Sequence, residues 1–135
     1  MKKDIDPPIM ENVAVAVAKE KDNLMNDIWN VYLFNLNDVK IEGVIVRSNG
    51  YGELDGKKVK TSELRHMFEE VSPLDSVLVE PFMDEMRAVT NQFWVSCWID
   101  GVLKDKKYIF VVGSIDERYM VPLPWMDDVK GVIIR

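Results

Sequence analysis

Asp100-Gly101 stands between two strand-forming runs, Asn91 to Asp100 and Val102 to Gly113, and no other feature limits the fold of this chain as tightly. A two-residue type I′ turn needs positive φ at both positions. Asp-Gly meets that need, and the turn's twist matches that of the strands it joins. The turn fixes the ladder: Ile99 faces Val102, Trp98 faces Leu103, Trp94 faces Lys107 and Phe93 faces Tyr108. Side chains alternate across a strand. One hairpin face therefore holds Phe93, Val95, Cys97, Ile99, Tyr108 and Phe110, and the other holds Trp94, Ser96, Trp98, Leu103, Lys107 and Ile109. The first is the natural core face. The second is too apolar for an ordinary solvent face.

Turn signals recur at short intervals along the rest of the chain, which points to strands rather than long helices. Val13, Val15 and Val17 share a face only at period two, so 12–19 reads as a strand, and Lys19 to Asp27 as a connection with room for one helical turn. Ile28 to Leu36 is apolar on both faces and reads as a central strand covered on both sides. Lys40 to Arg47 is the next strand, Ser48-Asn49-Gly50-Tyr51-Gly52 a break, and Asp55-Gly56 a turn into Lys57 to Lys60. Residues 61–71 have two readings. As a helix capped by Thr61 or Ser62 they align Leu64, Met67, Phe68 and Val71; as a strand they run through Val71-Ser72-Pro73-Leu74 into Ser76 to Phe82. The second is favoured because a strand, a Pro-containing turn and another strand is a common sandwich unit. Pro122-Leu123-Pro124-Trp125 is extended, and Gly131 to Ile134 forms a short last strand or a clasp.

Seven or eight short strands with at most one helix predict an all-β protein, an antiparallel β-sandwich of immunoglobulin-like topology. A small β-barrel is the alternative, or an α+β fold if 61–71 is helical. Residues 1–11, with Pro7-Pro8, read as an extended arm and 12–135 as a single domain.

A chain of 135 residues suffices for one core without staples, and 47% hydrophobic with 30% charged residues excludes wholesale disorder. Its formal net charge of -6 repels nucleic-acid backbones and anionic membranes. The single cysteine, Cys97, fits a reducing compartment. Asp4, Asp6 and two prolines interrupt any leader-like start, and Val13 to Ala18 is too short to cross a bilayer, so a cytoplasmic location without membrane contact is expected.

Searching for chemistry returns few candidates. No glycine-rich nucleotide loop is present, and the only histidine, His66, cannot build a zinc site alone or join a serine in a nucleophile elbow. Carboxylates come as adjacent pairs, such as Glu69-Glu70 and Asp127-Asp128, whose members diverge on a strand. Asn49 to Gly56 is a poor match to a calcium loop. No cofactor and no enzymatic activity is therefore expected.

Two surface features remain. Trp94, Trp98, Leu103 and Ile109 would form an interface for a protein partner or a second copy, unless the tail around Pro122 to Trp125 folds over them or a bulge reverses one strand. Lys104, Lys106 and Lys107 beside the tryptophans give the alternative of a nucleic-acid or small-molecule binding module, which the net charge disfavours.

Several segments also carry a resemblance: Arg65-His66 followed by Val71-Ser72-Pro73, the Phe93-to-Asp100 strand, Lys106-Lys107-x-x-Phe110, Pro122-Leu123-Pro124 and Lys130-Gly131-Val132. In this order the chain resembles short uncharacterised bacterial proteins, some of which carry a phenylalanyl-tRNA synthetase subunit label. The resemblance implies association with such a synthetase. The class II catalytic core needs a larger antiparallel sheet and an ATP-binding arginine motif, which have no counterpart in these residues.

Overall fold

Val13, Val15 and Val17 and the intervening Ala14, Ala16 and Ala18 are all inaccessible to solvent, so the first strand is covered on both faces. The structure, a computed structural model, describes residues 9–135. Its strands are β1 (Val13–Lys21), β2 (Asp27–Asn35), β3 (Ile41–Leu54), β4 (Lys57–Lys60), β5 (Leu64–Val71), β6 (Asp75–Phe82), β7 (Thr90–Ile99), β8 (Val102–Phe110), β9 (Val121–Pro122) and β10 (Lys130–Ile134). Two short 3₁₀ turns, Asp84–Ala88 and Glu117–Tyr119, are the only helical pieces among the described residues. One sheet has the order β6-β2-β1-β10-β9; the other runs β4-β3-β7-β8, with β5 also paired to β3. All the strand pairs are antiparallel. The fold is an all-β sandwich with open sheet edges, not a closed barrel.

The core lies between the sheets. Val13, Val15, Val17, Val31 and Leu33 of one sheet meet Val44, Val46, Phe93, Val95 and Phe110 of the other. A smaller apolar cluster sits on the outside of the first sheet, where Leu123 and the partly buried Met126 and Val129 cover Ala14, Ala16, Ala18 and Phe34. The alanines are small because a chain segment lies over them. Gly131 shows how close that approach is: a Cβ there would stand 2.5 Å from the Val17 carbonyl oxygen and 3.1 Å from Leu123 Cδ1.

The segment 61–71 is the edge strand β5 rather than a helix, which disposes of the α+β alternative. Other expectations need correction. The described residues form ten strands, not seven or eight. β3 runs straight through the Ser48-to-Gly52 break. Gly50 and Gly52 make room there instead of turning the chain, since a Cβ on Gly50 would lie 2.6 Å from Met86 Cε. No helical turn occurs between β1 and β2, because Asp22 Oδ1 accepts from the amides of Leu24 (2.8 Å) and Asn26 (2.9 Å) and closes a tight loop.

The first eight residues of the expected arm lie outside the described residues. Met10, which the sequence places in that arm, is buried in the core, with its sulfur 3.6 Å from the Tyr108 hydroxyl. No helix among the described residues is long and apolar enough to cross a membrane.

Candidate interaction face

Asp100 and Gly101 take φ values of 51° and 76°, and the ladder runs as their turn dictates, from Ile99↔Val102 through Trp98↔Leu103 to Phe93↔Tyr108. No bulge interrupts it. Trp94, Trp98, Leu103 and Ile109 therefore share the outer face of the second sheet, exposed by 36%, 47%, 51% and 42%. The tail does not cover them, because its 123–129 segment lies on the other sheet.

Residues that the hairpin alone could not reveal complete this face. β3 and β5 extend it sideways in cross-strand rows. Glu70, Glu42, Trp98 and Leu103 form the first row, Met67, Ile45, Ser96 and Asp105 the second, and Arg65, Arg47, Trp94 and Lys107 the third. A bulge at Gly43, which has a φ of 56°, sets the spacing on β3 and lets the Trp98 indole lie against backbone, 3.1 Å from where a Cβ would be. Lys40 reaches Glu42 at 3.5 Å and Glu70 at 3.7 Å, outside the first row.

The third row is electrostatically distinct. The Arg47 guanidinium lies 4.1 Å from the Trp94 ring centre and the Lys107 ammonium 5.0 Å from it, so two cations hold one indole. Such contacts contribute about 0.5–1 kcal/mol each at exposed sites and fix the orientation of the ring. The face thus has an acidic row and a basic row, each carrying one tryptophan, on either side of a mixed row of Met67, Ile45, Ser96 and Asp105.

The three lysines singled out by the sequence are not brought together. Lys107 belongs to this face, whereas alternation turns Lys104 and Lys106 to the other side of β8. Lys106 bonds the Arg135 main-chain oxygen at 2.7 Å and lies 5.0 Å from the Tyr108 ring centre. Arg47 and Arg65 are the cations that sequence reading missed, since only the β3–β5–β7 register shows them beside Trp94.

Cys97 is buried on the core face, and burial pushes its thiol up to about 11. His66 Nε2 and Ser48 Oγ both bond Glu80 Oε1, at 2.8 Å and 2.9 Å. The serine hydroxyl donates to the carboxylate and not to the imidazole, so the Ser-His-acid order of a nucleophilic triad is not made. Among the described residues no three His, Cys, Asp or Glu side chains converge as metal ligands.

Fold and face together define a β-sandwich with one sheet covered by its own tail and one sheet that the described residues leave uncovered. No protein-family model, curated protein or solved structure matches the chain.

Proposed function

We propose that the protein is a non-enzymatic interaction module that pairs with a second copy through the outer face of its second sheet. The order of charge across that face carries the proposal. If two copies meet face to face about a two-fold axis lying along the Met67–Ile45–Ser96–Asp105 row, the strands of one run antiparallel to those of the other. Glu42 and Glu70 of each copy then stand opposite Arg47 and Arg65 of its partner, and Trp98 stands opposite Trp94. Turning the axis by a right angle lays each row over its own reverse, which sets Arg65 against Lys107 and leaves Glu42 and Glu70 opposite Trp98 and Leu103 without a cation, so the pattern favours the first arrangement. Isologous pairing of this kind is the commonest symmetry of soluble oligomers.

The footprint sets the strength. Four strands about 4.8 Å apart and rows spanning about 20 Å give roughly 400 Å² on each copy. That is below the standard interface size and corresponds to a weak, micromolar dimer. Gel filtration with light scattering tests it. The wild-type chain is expected to dimerise at about 100 μM, and Trp98→Glu and Arg47→Glu to be monomeric there. A wild-type chain that stays monomeric at that concentration overturns the proposal.

The immunoglobulin-like reading of the topology belongs to the same proposal. Strands β1-β2-β6 and β3-β7-β8 have the adjacency A-B-E and C-F-G, with β4 and β5 added beside C and β9 and β10 beside A. One observation favours a second function: Trp94 between Arg47 and Lys107 resembles a stacking platform for single-stranded nucleic acid. Titrating oligonucleotides against tryptophan fluorescence at low and high salt decides it, and the absence of a saturable signal removes it.

A further inference from the structure

β6 has one residue more than its partner β2 opposes. Val31 pairs with Glu80 and Tyr32 with Leu78, which leaves Val79 between them unpaired. Without this bulge Glu80 would share the outer face with Leu78. With it, the carboxylate joins Val31 on the face between the sheets. Bulges commonly re-aim side chains in this way. The Glu80 side chain is only 10% exposed, and its Oε1 receives both Ser48 and His66. A buried carboxylate is costly unless its surroundings compensate it.

Glu80 lines a cleft of about 260 Å³ at the seam between the sheets, walled by Leu64, Phe82, Met83, Met86 and Phe93. Asn49 borders it too, but alternation along β3 turns its side chain to the outer face with Arg47, away from Ser48 and Glu80. Two donors at the cleft are committed: Ser48 Oγ serves Glu80, and Asn91 Nδ2 serves the carbonyls of Met86 (2.7 Å) and Val89 (3.1 Å). The cleft therefore combines a carboxylate acceptor, its negative charge and apolar walls. An ammonium group has three donors, a positive charge and no acceptor, and is the complement of that set.

We propose that this cleft binds a small organic ammonium with an apolar body, the ammonium on Glu80 and the body among Phe82, Met86 and Phe93. The volume equals that of about nine waters at roughly 30 Å³ each, enough for one ring on a short chain. The site does not depend on self-association.

The test is a titration of the isotope-labelled full chain with phenethylammonium chloride and, separately, with 2-phenylethanol of the same shape, following backbone amide shifts at pH 7. The amine is expected to saturate, to bind at least about tenfold tighter than the alcohol, and to move amides of Ser48, Asn49, Ser62, Glu80 and Met86. Glu80→Gln should bring amine and alcohol to parity while its spectrum stays folded. If that variant does not fold, the wild-type comparison and the map of shifts decide alone. Equal binding of the two probes, shifts centred on Asp127-Asp128, or no saturation by about 10 mM amine overturns the proposal.

Discussion

Tyr108 lies wholly inside the sandwich, and its hydroxyl donates to the Val13 carbonyl at 2.6 Å. Burial raises its phenol above the ordinary value, so the folded chain keeps a proton that the unfolded chain loses above pH ~10. Unfolding then releases a proton. The stability is fully present below that pH and falls as pH rises through it, by up to about 1.4 kcal/mol per unit. Tyr32, raised by burial and by its bond to Glu20, acts in the same direction. Urea midpoints should thus decline from pH 10 to 11. Tyr108→Phe should be weaker by about 1 kcal/mol at neutral pH, from the lost hydrogen bond, yet decline less steeply in alkali. An unchanged alkaline slope would exclude Tyr108 as its source. Which side of the hairpin held Tyr108 and Cys97 was legible from the Asp100-Gly101 turn. That Met10 also packs there was not, because a lone methionine beyond two prolines has no period to place it.

At the scale of elements, the sequence is clear where a strand alternates and silent where one segment lies across another. Asn35 reads as a turn residue. In the structure it is fully buried, with Nδ2 bonded to the carbonyls of Val39 (2.9 Å), Val71 (3.1 Å) and Ser72 (3.1 Å), and it ties the β2–β3 connection to the β5–β6 connection. Asn35→Ala leaves buried carbonyls without a donor and should cost about 2–3 kcal/mol in a urea titration. A loss below 0.5 kcal/mol, the scale of a surface change, would show the clamp to be dispensable. The cover formed by 123–129 was equally hidden, since Pro122 and Pro124 mark only an extended path and not where it lands. Gly131→Ala probes that contact, because the atoms it would meet include backbone of β1, which cannot step aside. Overpacking of this kind costs about 1–3 kcal/mol, and a variant with an unchanged thermal midpoint would mean that β10 can shift away. Trp94 and Trp98 were placed by register alone, while their ionic neighbours on β3 and β5 required the long-range pairing that no local pattern encodes.

For the whole molecule, the dimer proposal makes a demand that mere stickiness would not. A hydrophobic patch tolerates many partners and many angles, whereas two rows of opposite charge on either side of a mixed one favour a single orientation. Reversing Arg47 and Arg65 to Glu leaves a face whose outer rows are both acidic, and reversing Glu42 and Glu70 to Arg leaves both rows basic. Each variant repels its own copy. Mixed together, each acidic row meets a basic one, and the heterodimer should form where neither homodimer does. Added salt should weaken it, since rows of exposed charge are screened over about 8–10 Å at physiological ionic strength. Light scattering on the two variants apart and in equimolar mixture reads this directly. Dimers in all three samples would place the wild-type contact on some other surface, and monomers in all three would show that the face is used without the charge pairing. A mixture that dimerises in the absence of either homodimer would fix the face but not the orientation, because acid meets base in both rows whichever way the two variants are turned. The fourfold exchange Glu42→Arg, Glu70→Arg, Arg47→Glu and Arg65→Glu separates the two orientations: under antiparallel pairing it should dimerise with itself and not with wild type, whereas parallel pairing would join it to wild type and not to itself.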